Sequence, residues 1–211
     1  MSIRTILFDL DGTLIDSNQL IHASFDYTFK QFNLTFTEEE ILEFNGPPLI
    51  DTFKKIDPIK VDEMVETYRQ HNYLVHDEYV RVFPKVVETL KQLKDRQVKL
   101  GIVTTKMANG VKMGIEKTGI SDFFDTVITF DDVKHPKPHP EPVLKAMHAL
   151  DAEASSTLMV GDNSHDIEAG KSAGIKTAAV AWSLKGKDRL LTYNPTIMLE
   201  EMTDILRYVE V

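Results

Sequence analysis

Short apolar runs rich in β-branched residues recur at Thr5–Phe8, Lys99–Val103, Thr126–Thr129, Leu158–Val160 and Thr177–Trp182. Consecutive apolar positions of this length predict strands buried on both faces, as in a parallel sheet. Between them the spacing becomes helical. Pro84–Arg96 sets Val86, Val87, Leu90 and Leu93 on one face behind a proline in its first turn, and Pro140–Leu150 repeats the pattern with Val143, Leu144, Met147 and Leu150. Ser164–Ala173 offers small residues for close packing. Strands alternating with helices predict an α/β fold built on a doubly wound parallel sheet.

One segment, residues 17–80, interrupts the alternation with helical patterns and no convincing strand. Leu20, Phe25, Phe29 and Phe32 form one stripe, and Val61, Met64, Val65 and Tyr68 form a second on a helix expected over Val61–Tyr73. The expected organisation is a main domain of residues 1–16 and 81–211 with an inserted helical cap of residues 17–80. Asp16-Ser17-Asn18 and Val80-Arg81-Val82 are the candidate hinges.

The chain has 211 residues, 42% hydrophobic and 27% charged, enough for a catalytic domain with a modest insertion. No apolar stretch approaches the roughly 18 residues of a membrane helix, and the start lacks a signal peptide's long apolar segment, so the expectation is a cytoplasmic protein without membrane association. The absence of cysteine excludes disulfides, thiolate metal sites and a cysteine nucleophile. A net charge of -9 argues against nucleic acid as a partner. An anionic substrate would therefore need locally concentrated positive charge or a metal. Oligomeric state is not legible.

Four polar clusters accompany these runs, three directly after a run and one ahead of a helix. Asp9-Leu10-Asp11-Gly12-Thr13 follows the first, Thr104-Thr105-Lys106 the second, and Gly161-Asp162-Asn163-Ser164-His165-Asp166 the fourth, while His135-Pro136-Lys137-Pro138 stands ahead of the Pro140–Leu150 helix. Open α/β sheets bind ligands at the carboxyl edge of their strands. Asp9 and Asp11 share one side of an extended chain, where two carboxylates repel unless a cation or proton lies between them. Each cluster has an ordinary alternative: an Asp-Gly turn, helix capping by Asp162 and Asp166, a solvated Lys137.

The order acid pair, hydroxyl pair, lysine, acid pair resembles the haloacid dehalogenase-like hydrolases, and the helical insertion after the first motif resembles their phosphoglycolate phosphatase-like branch. Asn45-Gly46-Pro47-Pro48-Leu49-Ile50-Asp51-Thr52-Phe53, with Gly101–Lys106 and Met159–Asn163, resembles the bacterial pyrophosphatases of that superfamily. The resemblance implies a Rossmann-like core and hydrolysis of pyrophosphate, a small-molecule phosphate substrate, through an aspartyl-phosphate on Asp9. It implies Mg2+ held by Asp9, a backbone carbonyl of Asp11 and Asp162, with Asp166 in the outer shell. Oxygen ligands without cysteine suit such a hard cation. Thr104 would donate to a phosphoryl oxygen, Thr105 would tune the phosphate pocket, and Lys137 would supply fixed positive charge. Asp11 would serve as general acid and base, which a halide leaving group does not require. The resemblance also implies a cellular role in clearing the pyrophosphate formed when a seryl-phosphorylated phosphocarrier protein is dephosphorylated.

In the insertion, Gly46 and Pro47 make a rigid turn able to approach the cavity, with a plain helix–helix connection as the alternative. The segment holds five Lys/Arg against twelve Asp/Glu, so anion recognition there would fall to individual residues, Arg69 first. The competing functions are a phosphoglycolate or sugar-phosphate phosphatase, a sugar phosphomutase, and a non-catalytic phosphate sensor.

Overall fold

The computed structural model describes residues 2–210. β1 (Thr5–Phe8) runs into a tight loop and the two-residue strand β2 (Ile15–Asp16), after which come four helices: α1 (Asn18–Gln31), α2 (Glu38–Glu43), α3 (Leu49–Ile56) and α4 (Val61–Tyr79). β3 (Arg81–Val82) pairs antiparallel with β2 and returns the chain to α5 (Val86–Asp95), β4 (Lys99–Val103), α6 (Ala108–Thr118) and β5 (Thr126–Ile128). Then follow α7 (Glu141–Ala149), β6 (Thr157–Gly161), α8 (Ser164–Ser172), β7 (Lys176–Val180), α9 (Lys187–Leu191) and β8 (Ile197–Leu199).

Six strands form one parallel sheet in the order β5-β4-β1-β6-β7-β8. The connections leave β1 toward β4 on one side and β6 on the other, so the order reverses beside β1. This is the place where an open α/β sheet has a crevice at its carboxyl edge. Alternation along β1 feeds two cores: Ile6 and Phe8 pack with residues of α5 and α6, and Leu7 packs with Val143, Ala146 and Met147 of α7. The sheet is thus covered on both faces, as its continuous apolar strands require.

The four inserted helices carry a separate core of Phe25, Phe29, Ile41, Phe53, Met64, Val65 and Tyr68. Its aromatic rings meet mostly edge-on or tilted, with Phe25 centred 5.7 Å from Phe53 and 4.8 Å from Tyr68. Leu20 does not join this stripe; it packs with Leu14, Ile15 and Val80 in the main core, at the stem of the insertion.

Several details differ from the sequence expectations. α5 begins at Val86, after a turn in which Lys85 has φ 64, so Pro84 lies outside the helix. Its buried residues are Val86, Thr89, Leu90 and Leu93, an i, i+3, i+4, i+7 stripe that leaves Val87 41% exposed. In α7 the same spacing through Val143, Ala146, Met147 and Leu150 leaves Leu144 47% exposed. α4 continues past Tyr73 to Tyr79 because Asn72 and His76 prolong its buried face, a continuation that polar residues conceal from a hydrophobic pattern. The edge strand β8, three residues long, has no counterpart among the strands predicted from the apolar runs. Among the described residues, no helix is long and apolar enough to cross a membrane.

Because Phe53 is fully buried in the insertion's own core, Phe53→Ala should destabilise the protein by about 3–5 kcal/mol. Urea denaturation followed by circular dichroism checks this, and a loss below about 1 kcal/mol would contradict the packing described.

Candidate active site

The loops after β1, β4 and β6, with the segment before α7, converge over the crevice beside β1. Asp9, immediately after β1, is anchored by its N–H donating to the Val160 carbonyl at 2.8 Å. The next turn passes through Gly12 at φ 80, a left-handed conformation open to glycine, and the Gly12 N–H donates to the Ile15 carbonyl at 2.9 Å. Thr104 is placed by its N–H on the Ile128 carbonyl, and its hydroxyl oxygen accepts from the Lys106 N–H at 3.1 Å. Asp162 leaves β6 with its carbonyl accepting from the Ser183 hydroxyl at 2.6 Å.

Carboxylate oxygens of Asp9, Asp162 and Asp166 all lie within 4.8 Å of one another, and all three residues are buried. Lys137, 3% exposed, reaches into the cluster: its ammonium donates to Asp9 Oδ1 at 2.8 Å, Asp166 Oδ1 at 2.5 Å and the Val103 carbonyl at 2.8 Å. Three carboxylates around one ammonium leave surplus negative charge in a dry site. Burial, reinforced by Asp166 and opposed by Lys137, pushes Asp9 up to about 7. Burial and the neighbouring Asp9 raise Asp162 well above the usual carboxylate range. For Lys137 burial acts downward, but Asp166 and Asp9 outweigh it and hold the ammonium firmly protonated. This donor set of carboxylate oxygens, lacking sulfur and imidazole, fits a hard divalent cation.

Asp166 has a double engagement. Its Oδ2 accepts from the Asn163 N–H at 3.0 Å in a capping box at the start of α8, while Oδ1 takes Lys137. Helix capping and participation in the cluster therefore coexist, although Asn163 and not Asp162 is the N-cap. Asp11 stands apart from the three acids. Its Oδ1 receives Lys106 at 2.9 Å and the Ser17 hydroxyl at 2.5 Å.

One cavity of about 150 Å³ is lined by every site residue read from the sequence: Asp9, Asp11, Gly46, Pro47, Arg69, Thr104, Thr105, Lys137, Asp162 and Asp166. Thr105 lines it too, yet its hydroxyl donates to the Gly46 carbonyl at 3.2 Å, so it also joins the main domain to the insertion. Asn163 Nδ2 donates to the Asn45 carbonyl at 3.2 Å, and Lys185 Nζ to the Leu42 carbonyl at 2.5 Å. Arg189 pairs with both carboxylate oxygens of Glu43. These seams had no sequence signal except adjacency: Thr105 and Asn163 each follow a motif residue.

A model of the haloacid dehalogenase-like hydrolases matches residues 6–180. The chain belongs to this family. It is 59% identical over 209 residues to the pyrophosphatase PpaX of Oceanobacillus iheyensis, covering 99% of this chain and 98% of that one. It is 54% identical to the PpaX of Anoxybacillus flavithermus, covering 98% and 96%. Among solved structures, a haloacid dehalogenase-like hydrolase from Streptococcus pneumoniae superposes with a TM-score of 0.86 at 28% identity, covering 98% of both chains.

The raised position of Asp9 makes stability depend on pH. A carboxyl held above its unfolded value of 3.8 contributes stability that is complete below that value and is lost as pH rises through about 7. In chelator, the melting temperature of the wild type should therefore fall relative to Asp9→Asn between about pH 5 and 7.5. A divalent cation should recover the difference at the upper end; parallel wild-type and mutant curves would refute the assignment.

Proposed function

We propose that the protein is a magnesium-dependent pyrophosphatase that hydrolyses pyrophosphate to two phosphates through an aspartyl-phosphate on Asp9. The observation that carries this reading is a buried Asp9 set between Lys137 and two further carboxylates on the floor of a small cavity, in a chain so closely related to PpaX proteins. Asp9, the Asp11 backbone carbonyl and Asp162 would hold Mg2+, with Asp166 behind them. When bound, the ion offsets the repulsion between an anionic nucleophile and an anionic substrate.

The remaining chemistry lies with the chain's own groups. An Asp9 oxygen attacks phosphorus, the bond to the bridging oxygen breaks, and its electron pair leaves with the departing phosphate. The Thr104 hydroxyl donates to an oxygen of the transferred group, and the Lys137 ammonium, held against Asp9 and Asp166, supplies fixed positive charge beside it. Asp11 then takes a proton from the water that attacks phosphorus, the phosphorus–Asp9 bond breaks, and the free carboxylate returns. Residues 17–80 act as a cap over residues 1–16 and 81–211, keeping bulk water out and presenting Gly46, Pro47 and Arg69 to the substrate. Resemblance supports a cytoplasmic setting, in which the enzyme removes pyrophosphate released on dephosphorylation of a seryl-phosphorylated phosphocarrier protein.

Phosphate release with Mg2+ tests the substrate: kcat/KM for pyrophosphate should exceed that for 2-phosphoglycolate or glucose 6-phosphate by at least about tenfold. Preference for an organic phosphate would replace the anhydride reading with a monoester phosphatase. Asp9→Asn should lower turnover by at least about 10³-fold without loss of folding, and substantial residual activity would remove Asp9 as nucleophile.

A phosphate leaving group, with a second pKa of about 6, needs less protonation than an alkoxide. In single-turnover assays, Asp11→Asn should therefore slow phospho-enzyme formation from an alkyl phosphate by about 10²-fold or more and from pyrophosphate much less. Equal losses would refute the role given to Asp11.

A further inference from the structure

Two cationic side chains reach carboxylates inside the cavity, and they are employed differently. Lys137 is fully engaged by Asp9, Asp166 and the Val103 carbonyl. Lys106 meets a single carboxylate, Asp11, at 2.9 Å, and shares that oxygen with the Ser17 hydroxyl. Ser17 alone would keep Asp11 oriented, so the ammonium can exchange Asp11 for another anion without releasing the carboxylate's position.

The space occupied by Lys106 is provided by a glycine. Gly110 lies in the first turn of α6, where a methyl group would come within 2.8 Å of Lys106 Cε and 3.3 Å of Cγ. Glycine inside a helix is destabilising relative to alanine. At this position it lets the lysine stem lie across the helix start and return its ammonium to the cavity. Gly110 itself lines the same cavity, as do Asp11 and, from the insertion, Arg69 and Tyr73.

We propose that Lys106 determines specificity by binding the departing phosphate of a diphosphate substrate, moving from Asp11 to the oxygens of that group as the bridging bond breaks. This rests on the pyrophosphatase reading and deepens it. Asp11 marks the leaving-group side of the reaction, and Lys106 is beside it. When the bridging oxygen takes the electron pair, negative charge grows over a whole phosphate, which a nearby ammonium stabilises without any proton transfer. An aryl ester's leaving group has no phosphate oxygens, so Lys106 has little to hold there.

The test compares pyrophosphate with p-nitrophenyl phosphate in the wild type, Lys106→Met, Lys106→Arg and Gly110→Ala, all with Mg2+ and all checked for native circular dichroism. Lys106→Met should lower kcat/KM for pyrophosphate by about 100-fold or more, and for the aryl ester by less than about tenfold. Lys106→Arg should restore most of the pyrophosphate activity. Gly110→Ala, which displaces the lysine stem, should cost about tenfold on pyrophosphate and nothing further when combined with Lys106→Met. A wild type inactive on pyrophosphate would sink the pyrophosphatase reading and this inference with it. A wild type active on pyrophosphate, whose Lys106→Met variant loses both substrates equally, would overturn this inference alone and leave Lys106 as a positioning residue for Asp11.

Discussion

Buried charge is the constraint around which this molecule is organised. Asp9, Asp162 and Asp166 crowd around one ammonium in a buried cluster, and a raised Asp9 is the physical expression of that conflict. Isolated buried charges are costly enough that a chain keeps such a cluster only with compensation. Lys137 supplies part of it through three short contacts, and the carboxylate oxygens form a donor set that fits a hard cation for the rest. The sheet makes the convergence possible, since β4, β1 and β6 are neighbours and end together at the crevice.

The main domain was largely legible because its signals are local. Apolar runs marked five of the six sheet strands, and chemistry-bearing residues stood directly after three of them, β1, β4 and β6. The places where the pattern misled have a common cause. Val87 and Leu144 are hydrophobic residues next to a buried stripe, and a one-residue step on a helix turns a side chain by about 100°. Asn72 and His76 are buried polar residues, which no hydrophobic pattern can reveal. In the site, the positions of Asp9, Thr104, Lys137 and Asp162 at the cavity followed from motif order, whereas the Lys106–Asp11 pair joins loops 95 residues apart and is visible only in three dimensions.

The insertion is fastened more by geometry than by energy. Glu43 and Arg189 form a bidentate pair, but both side chains are about half exposed, so the contact is worth no more than about 1 kcal/mol. The hydrogen bonds from Thr105 and Asn163 to backbone carbonyls at Gly46 and Asn45 have a different significance, because each donor is next to a residue of the reaction site. Residues 45–47 are thereby seated by positions adjacent to Thr104 and Asp162 on the same two loops.

The two-residue ribbon of β2 and β3 has a mechanical consequence. Asp11 bridges to Ile15 within the loop that becomes β2, and Ser17, one residue beyond that strand, holds the Asp11 carboxylate. Any displacement of the four helices about this ribbon would therefore act on the same few bonds that orient the Asp11 carboxylate. The seating of the four helices and the direction of the Asp11 carboxylate are thus a single mechanical variable.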